Sequence, residues 1–226
     1  MEKIKNEFQS WSNFIDQVGL SIEYEELMRN IDILYENSEC YPIKSKIFRA
    51  FKETDYDKCS CVLLGMDPYP GIYNGEPSAC GLSFATENGY INPSLRIILE
   101  NLVEDGLRNK HDSFKGEELI KWAHQGMLLL NSALTIQKGI SGSHLNVWKR
   151  WTEIFITALS KKRPDIVWVL LGRDAESFKK YIISENVIIA PHPMTHVYQS
   201  PKKPFGNVHV FLELNKKLKQ KIVFNE

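Results

Sequence analysis

The sequence has no excess of either charge, which separates it from the strongly basic proteins that bind nucleic acid without specificity. Lysine and arginine total 28, aspartate and glutamate also total 28, and the formal net charge is zero. We therefore expect any affinity for bulk DNA to be modest and sensitive to salt, because such affinity comes mainly from phosphate contacts. The balance still leaves room for a local basic patch.

The sequence also has no long apolar run. No apolar segment reaches the roughly 18 residues that a membrane-spanning helix needs. Residues 1–5 lack the apolar core of a signal peptide. We therefore expect a cytoplasmic protein with no membrane segment.

Cysteines are few, and their spacing is not that of a metal site. Cys59 and Cys61 form an isolated C-x-C pair, and Cys40 and Cys80 lie well apart from it on either side. This spacing does not resemble a zinc ribbon or a ferredoxin, and free buried thiols are common in protein cores. We predict no metal and no other cofactor.

Short apolar runs alternate with helical patterns along the chain, and 43% of the residues are hydrophobic. This alternation predicts an α/β fold, a three-layer α/β/α arrangement with a central, mostly parallel four-stranded sheet flanked by helices. We expect a single domain over 1–226, in which the mainly helical residues 1–60 are not independent. The predicted strands cover 61–64, 127–130, 165–171 and 187–190, and the later predicted helices cover 92–102, 116–124, 148–159, 174–183 and 206–218.

Residues 66–92 form a long connection with several glycines and prolines and no clear helix. A connection of this length inside a compact domain is usually functional or disordered. Pro68 and Pro70 stiffen its start, because proline fixes φ and has no backbone N–H. A stiff loop could hold Asp67 in place against a reacting atom. An Asp-Pro pair alone, however, is also common in ordinary turns.

Polar residues follow three of the predicted strands. Asp67 follows the first, Asn131 ends the second, and His192 follows the last, between two prolines. Each alone could be a turn or loop residue. The carboxyl ends of parallel strands form one edge, where ligands bind, so the three side chains could converge. Together, a carboxylate to steer water, an amide to pair with a base edge and an imidazole to meet developing negative charge favour a catalytic site.

Six short motifs follow one another from residue 65 onward. They are Gly65-Met66-Asp67-Pro68-Tyr69-Pro70, Gly81-Leu82-Ser83-Phe84, Pro93-Ser94-Leu95, Leu128-Leu129-Leu130-Asn131, Ser143-His144 with Trp148 and Thr152, and His192-Pro193-Met194-Thr195-His196 followed by Phe205-Gly206. In this order they resemble the motifs of the uracil-DNA glycosylases whose first motif is Gly-Gln-Asp-Pro-Tyr-His. Residues 1–60 match this family only loosely.

The resemblance implies a DNA-repair enzyme that flips uracil out of DNA and hydrolyses its N-glycosidic bond, leaving an abasic site. Asp67 and His192 would be the catalytic residues. Asp67 would stabilise the cationic sugar and position water, and His192 would donate a hydrogen bond to the uracil oxygen as charge builds there.

The resemblance also implies which residues bind the base and the DNA. Phe84 would stack on uracil, Asn131 would pair with its edge, Tyr69 would exclude the thymine methyl group, and the Met66 N–H would help to hold the uracil oxygen. The expected DNA contacts are Pro70, Ser94, Ser143, Met194, His196, Ser200 and Lys202.

The chain departs from the family pattern in ways that leave some roles open. Met66 replaces a glutamine, Pro70 replaces a histidine, and the connection after Gly71 is longer by four residues. The last loop, 194–204, is longer by two, which leaves four candidates for the residue that wedges into the space of the flipped base. The candidates are His196, Met194, Val197 and Tyr198. The lysine pair 202–203 fits a DNA contact and a solvated turn equally well.

Other functions and partners are weighed against this reading. The expected partner is uracil-containing DNA, single- or double-stranded, with a proteinaceous inhibitor or a replication partner as a further candidate; a monomer is expected. The Asp-Pro-Tyr-Pro form also resembles divergent poxviral members that assist DNA polymerase, which makes a weakly or non-catalytic DNA-binding scaffold the main alternative. A glycosylase with wider base choice is disfavoured by Tyr69 and Asn131.

Overall fold

The four apolar runs form one parallel sheet in the computed structural model, which describes residues 2–195 and 205–225. The strands of this sheet lie in the order β5-β2-β7-β8. They are β2 (Cys61–Gly65), β5 (Met127–Asn131), β7 (Val167–Leu171) and β8 (Val187–Ala190). The predicted α/β fold class and all four predicted strands are confirmed.

Every residue of β2, β5 and β7 is buried. A strand covered on both faces needs a continuous apolar run rather than an alternating one, which explains the sequence pattern. The register pairs Gly65 of β2 with Asn131 of β5. The carboxyl ends of these two strands therefore lie side by side at one edge of the sheet.

Helices make up much of the described chain outside this sheet. The α-helices are α1 (Glu2–Phe8), α2 (Ser12–Gln17), α3 (Leu20–Asn37), α4 (Arg49–Glu53), α5 (Pro93–Glu104), α6 (Glu118–His124), α7 (Leu145–Lys162), α8 (Arg173–Glu176) and α9 (Val210–Lys217). Short 3₁₀ turns cover Gln9–Trp11, Lys44–Lys46, Ser177–Tyr181 and Gly206–Val208. The predicted helices at 174–183 and 206–218 are thus each divided into a 3₁₀ turn and a shorter α-helix.

Two small antiparallel ribbons were not predicted. Strand β1 (Cys40–Tyr41) pairs with β6 (Ile136–Gln137), and β3 (Ile72–Tyr73) pairs with β4 (Glu76–Pro77). The second ribbon is a hairpin inside the long 66–92 connection. Its two turn residues both have positive φ, Asn74 at 51° and Gly75 at 82°. Positive φ at both positions is the mark of a type I′ turn, and Asn-Gly is its preferred sequence.

Aromatic rings join the N-terminal helices to α7. Phe8 stacks on Trp151 with ring centroids 6.0 Å apart, and Trp11 lies 5.9 Å from Phe155. Phe48 and Phe51 pack into the same group. These rings belong to the hydrophobic core that also contains the sheet. That residues 1–60 form one domain with the rest of the chain stays a prediction, with which this shared core is compatible.

The four cysteines are free and buried. Burial raises the pKa of the Cys59 thiol to about 12 and also raises that of Cys61. Such thiols are poor nucleophiles, because the reactive form is the thiolate. Over 2–195 and 205–225, no group of three or more histidine, cysteine, aspartate or glutamate residues is placed to hold a metal ion. Among those same residues, no helix is both long and apolar enough to span a membrane.

Candidate active site

The carboxyl ends of all four strands contribute to one cavity of about 390 Å³ at this edge of the sheet. Asp67 lies after β2, Asn131 ends β5, and His192 lies after β8, as the sequence predicted. The lining residues are Gly65, Met66, Asp67, Pro68, Tyr69, Pro70, Phe84, Asn92, Ser94, Asn131, Ser141, Leu171, Gly172, Arg173, Asp174 and His192. The cavity therefore combines an aromatic wall with a carboxylate, an amide and an imidazole.

The Asp67 carboxylate is held by the loop that precedes α7. Its Oδ2 accepts hydrogen bonds from the Gly142 N–H at 2.6 Å and from the Ser141 hydroxyl at 3.1 Å. Gly142 donates from a left-handed conformation, φ 78°, that glycine adopts at little cost. The Asp67 Oδ1 has only a 3.4 Å contact with Ser141, which leaves it open to water or substrate.

The surroundings of Asp67 shift its pKa in opposing directions. Burial raises the pKa of the carboxyl, the hydrogen bonds from Gly142 and Ser141 lower it, and the negative charge of Asp174 raises it again. The net direction is upward. The carboxylate is therefore desolvated, yet two donors fix its orientation.

The His192 ring is fixed in one tautomer. The Met194 N–H lies 3.2 Å from the His192 Nδ1. Because an amide N–H can only donate, Nδ1 accepts, and the proton of the neutral ring is on Nε2. Burial lowers the pKa of His192, and Asp174 raises it by a smaller amount. The site thus favours a neutral imidazole whose free nitrogen is a hydrogen-bond donor.

Gly172 gives the His192 ring its room. A Cβ on Gly172 would lie 2.9 Å from the His192 Cβ, closer than real Cβ atoms approach. Gly172 also has φ 89°, which side chains other than glycine rarely adopt. Both features select glycine directly after β7, next to His192.

Asn131 lies against the backbone of the neighbouring strand. A Cβ on Gly65 would overlap the Asn131 Oδ1, so the side chain occupies space that only glycine leaves open. The residue is 7% exposed. Within the described part of the chain, no protein group hydrogen-bonds to the Asn131 side chain. Because the side chain lines the cavity, its donor and its acceptor are available to a ligand.

Phe84 is held in an unusual backbone conformation. Its φ is 61°, in the left-handed region that costs a residue with a side chain about 1–2 kcal/mol. The Tyr69 hydroxyl donates to the Phe84 carbonyl at 3.1 Å, and the preceding Ser83 N–H donates to Leu129 at 3.1 Å. The ring centroid of Phe84 lies 6.1 Å from the ring centroid of His192. Strain maintained by its surroundings is typical of functional positions.

Further cavity residues come from the two ends of the 66–92 connection and from α5, beside those at the end of β7 and in α8. The Met66 carbonyl accepts from the Ser132 hydroxyl at 2.7 Å and from the Ala133 N–H at 3.0 Å, which fixes the backbone beside Asp67. The Asn92 side chain caps α5 by accepting from the Ser94 N–H at 3.1 Å. The predicted residues Met66, Pro70 and Ser94 therefore lie on the cavity wall.

Two predicted DNA contacts lie elsewhere. The Ser143 hydroxyl accepts a hydrogen bond from the Gln137 N–H at 2.8 Å and is not on the cavity wall. The Met194 side chain packs partly against the hydrophobic core, and its N–H holds His192. The predicted contacts His196, Ser200 and Lys202, with the wedge candidates Val197 and Tyr198, lie outside the described residues.

Sequence reasoning missed several residues that shape the site. Ser141 and Gly142 hold Asp67 from a loop far along the chain, a relationship with no local signal. Gly172 and Asp174 lie just after β7, so the rule about strand ends that found Asp67 could have found them. Gly65 could not be singled out, since its role depends on the register with Asn131.

No family model matches the chain. Curated proteins of related sequence do match it, and those described below have the same name. A uracil-DNA glycosylase of Aliarcobacter butzleri is 35% identical over 188 residues, covering 81% of this chain and 85% of the relative. Another, from Streptococcus equi subsp. zooepidemicus, is 34% identical over 212 residues, covering 90% of this chain and 93% of the relative.

Solved structures have the same fold. The mimivirus uracil-DNA glycosylase matches with a TM-score of 0.84 at 24% identity, covering 96% of this chain and 86% of that one. A variant of the mimivirus protein, solved in complex with UGI, matches with a TM-score of 0.85 at 25% identity, covering 96% and 88%. From the extent of the sequence matches, we conclude that the chain belongs to the uracil-DNA glycosylase family.

Proposed function

We propose that this chain hydrolyses the bond between uracil and deoxyribose in DNA and releases free uracil. The observation that supports this most is the convergence of Asp67, Asn131 and His192, from three different strands, on one cavity with an aromatic wall. Family membership supports the same reaction. The relatives do not favour the scaffold alternative, because they carry the name of the enzyme.

The cavity is suited to a single base that has left the DNA helix. The glycosidic bond of a stacked, paired base is out of reach, so the enzyme must rotate the target nucleotide outward. Phe84 would then stack on the uracil ring, an interaction worth about 1–3 kcal/mol and tolerant of base identity. Stacking alone therefore supplies affinity without selectivity.

Asn131 and Tyr69 would supply the selectivity. The free Asn131 amide would pair with the edge of uracil, and a base with the wrong donors would leave buried groups unsatisfied. The ring of Tyr69, tied to Phe84 through its hydroxyl, would occupy the space beside C5 of the base. Thymine differs from uracil by a methyl group at C5, so a rigid ring at that point excludes it.

Asp67 would act on the sugar. As the N1–C1′ bond breaks, its electron pair leaves with uracil and the sugar becomes an oxocarbenium-like cation. The Asp67 carboxylate would stabilise this cation and orient the water whose oxygen bonds to C1′, and it would accept the proton that this water loses. Its Oδ1 is the oxygen open for this role, since Oδ2 is held by Gly142 and Ser141.

His192 would act on the base. The negative charge left on uracil spreads to its carbonyl oxygens, and the Nε2–H of a neutral imidazole can donate to one of them. The hydrogen bond from Met194 to Nδ1 fixes that tautomer, and the lowered pKa of His192 keeps the ring neutral. A neutral imidazole in this role has precedent in enzymes that stabilise an oxyanion.

The proposed partners follow from the reaction. The substrate would be uracil-containing DNA, contacted at its phosphates by Ser94 and by residues of the 194–204 loop. A protein inhibitor is a further proposed partner, because a structural relative binds one. We propose that the chain works as a monomer, inside the cell where its DNA substrate lies.

The direct test is release of free uracil from an oligonucleotide with one uracil, in the presence of a chelator. Oligonucleotides with thymine or cytosine at the same position serve as controls. Rapid release from the uracil substrate alone is the expected result. DNA binding without any release would reject the proposed reaction in favour of the scaffold.

A further inference from the structure

The hairpin formed by β3 and β4 is a local element that cannot hold itself in place. It consists of two residue pairs, Ile72 with Pro77 and Tyr73 with Glu76, joined by the type I′ turn. An isolated two-stranded hairpin is at best marginally stable in water, so its position depends on contacts with the rest of the chain.

Several contacts fix the hairpin from its base and from one side. The Asn88 Nδ2 donates to the Glu76 carbonyl and to the Ser78 hydroxyl, both at 3.2 Å. The Ser78 N–H donates to the Gly71 carbonyl at 3.0 Å, which closes the base. Just beyond, Ala79 packs with two buried residues of the β1–β6 ribbon. The hairpin is therefore presented in a defined position.

The most prominent side chain of the hairpin is an aromatic ring that is already stacked. Tyr73 and Tyr90 have ring centroids 5.0 Å apart and an interplanar angle of 27°. Tyr73 nevertheless keeps 40% of its surface exposed, and the neighbouring Ile72 keeps 51%. Tyr73 is therefore stacked on one ring and still has surface available for a second contact.

The two segments that carry this pair also contribute residues to the wall of the uracil cavity. Pro70 lines the cavity, and the hairpin begins two residues later. Tyr90 precedes Asn92, which lines the same cavity. Both members of the stacked pair are thus attached to segments that form the cavity wall. Any DNA strand that delivers a nucleotide to the cavity must pass close to the rim of this cavity.

We propose that the Tyr73–Tyr90 pair is a platform on which an unpaired base of the same DNA strand, near the uracil, stacks. This inference depends on the proposed function, since it concerns the strand that carries the uracil. The hairpin strands bear one carboxylate, Glu76, and no lysine or arginine, which suits contact with a neutral base rather than with a phosphate.

The platform distinguishes single-stranded from double-stranded substrates. A base in a duplex already has both faces covered by its neighbours, whereas an unpaired base gains from stacking on a fixed aromatic ring. The pair therefore favours uracil in single-stranded DNA. It would lower KM for that substrate and leave the chemical step unchanged.

The test compares uracil release by the full chain from one oligonucleotide, single-stranded and annealed to its complement. Tyr73→Ala is expected to lower kcat/KM on the single strand about tenfold through KM, with less than about a twofold change on the duplex. Tyr73→Phe keeps the ring and is expected to behave as the wild type. Ile22→Ala, an exposed apolar position on α3, controls for loss of surface area. Equal activity of Tyr73→Ala and wild type on single strands, or equal losses on both substrates, overturns the proposal.

A second readout starts from a chain in which Tyr73 is intact, so its first result does not depend on the folding of Tyr73→Ala. The Asp67→Asn chain, which leaves DNA intact, is bound to single strands carrying the fluorescent base 2-aminopurine at successive positions around the uracil. Stacking on tyrosine quenches this base, so one position is expected to lose fluorescence and to recover it in Asp67→Asn combined with Tyr73→Ala. Absence of quenching at every position overturns the platform. Failure of the wild-type chain to release uracil from any substrate instead rejects the proposed function.

Discussion

The side-chain oxygen of Asn131 occupies the space that a side chain on Gly65 would need. The two residues face each other at the ends of β2 and β5, and a Cβ on Gly65 would overlap the Asn131 Oδ1. Gly65 has an ordinary backbone conformation, so its role is to leave space rather than to relieve backbone strain. The position of the amide that we propose pairs with the base therefore depends on a glycine of the neighbouring strand.

Gly65→Ala is expected to lower kcat/KM for uracil release by about tenfold or more, because Asn131 must move and a hydrogen bond to the base is lost. The measurement is steady-state uracil release, with thermal unfolding to confirm a folded chain. Gly71→Ala is the matched control, since a Cβ there meets no atom within 4 Å. Wild-type activity in Gly65→Ala would contradict the proposed role of Asn131.

Tyr69 offers a test of base exclusion that separates its ring from its hydroxyl. Tyr69→Ala is expected to admit thymine and to release it slowly, because the ring beside C5 is gone. Tyr69→Phe loses only the hydrogen bond to the Phe84 carbonyl, so it is expected to exclude thymine still. Release of thymine and uracil from otherwise identical oligonucleotides is the measurement. Strict exclusion of thymine by Tyr69→Ala would show that a group other than the Tyr69 ring excludes the thymine methyl group.

The sheet could be predicted from the sequence because its signal is local. Each strand, such as Met127–Asn131, is a buried apolar run ended by polar or turn residues. The convergence of Asp67, Asn131 and His192 followed from one topological rule about parallel sheets. Their individual roles came from the family resemblance, and the geometry is compatible with them.

What could not be predicted depends on contacts between distant parts of the chain. Gly142 donates a hydrogen bond to Asp67, and Met194 donates one to His192. Both bonds depend on where loops lie in space, and no periodic pattern in the sequence predicts that. The β1–β6 ribbon was missed because two-residue strands have no pattern. The β3–β4 hairpin did have a signal, the Asn74-Gly75 pair, which ranks among the strongest local indications of a tight turn.

Asp67→Asn is expected to reduce uracil release by about a hundredfold or more while DNA binding is retained, because an amide cannot stabilise the cationic sugar as a carboxylate does. Single-turnover release and equilibrium binding of uracil-containing DNA separate the two effects. Unchanged turnover would remove Asp67 from the mechanism.

The same substitution is expected not to lower the melting temperature at pH 7. The pKa of Asp67 is raised by folding, so the folded state holds the proton more tightly than the unfolded state does. At a pH above both pKa values the ionised carboxylate therefore costs stability, and this cost disappears in Asn, whose oxygen can still accept from Gly142. A clear loss of thermal stability at pH 7 would contradict this account of the Asp67 environment.

Asp174 provides a prediction about pH, because it lines the same cavity as both proposed catalytic residues. Its negative charge raises the pKa of Asp67 and also that of His192. The reaction needs Asp67 ionised and His192 neutral, so activity falls as the pH drops through either pKa. Asp174→Asn lowers both pKa values and is expected to move the acidic limb of the kcat/KM profile to lower pH.

The control for Asp174→Asn is Glu176→Gln, which removes an exposed carboxylate of the same helix that does not line the cavity. Arg173 is present in both variants, so its charge cannot explain a difference between them. Glu176→Gln is expected to keep the wild-type pH profile. Asp174 is exposed, so salt should screen its effect. The difference between Asp174→Asn and wild type should therefore shrink as ionic strength rises. A profile that moves to higher pH, or that moves equally in both variants, would show that Asp174 does not act on the catalytic pair through its charge.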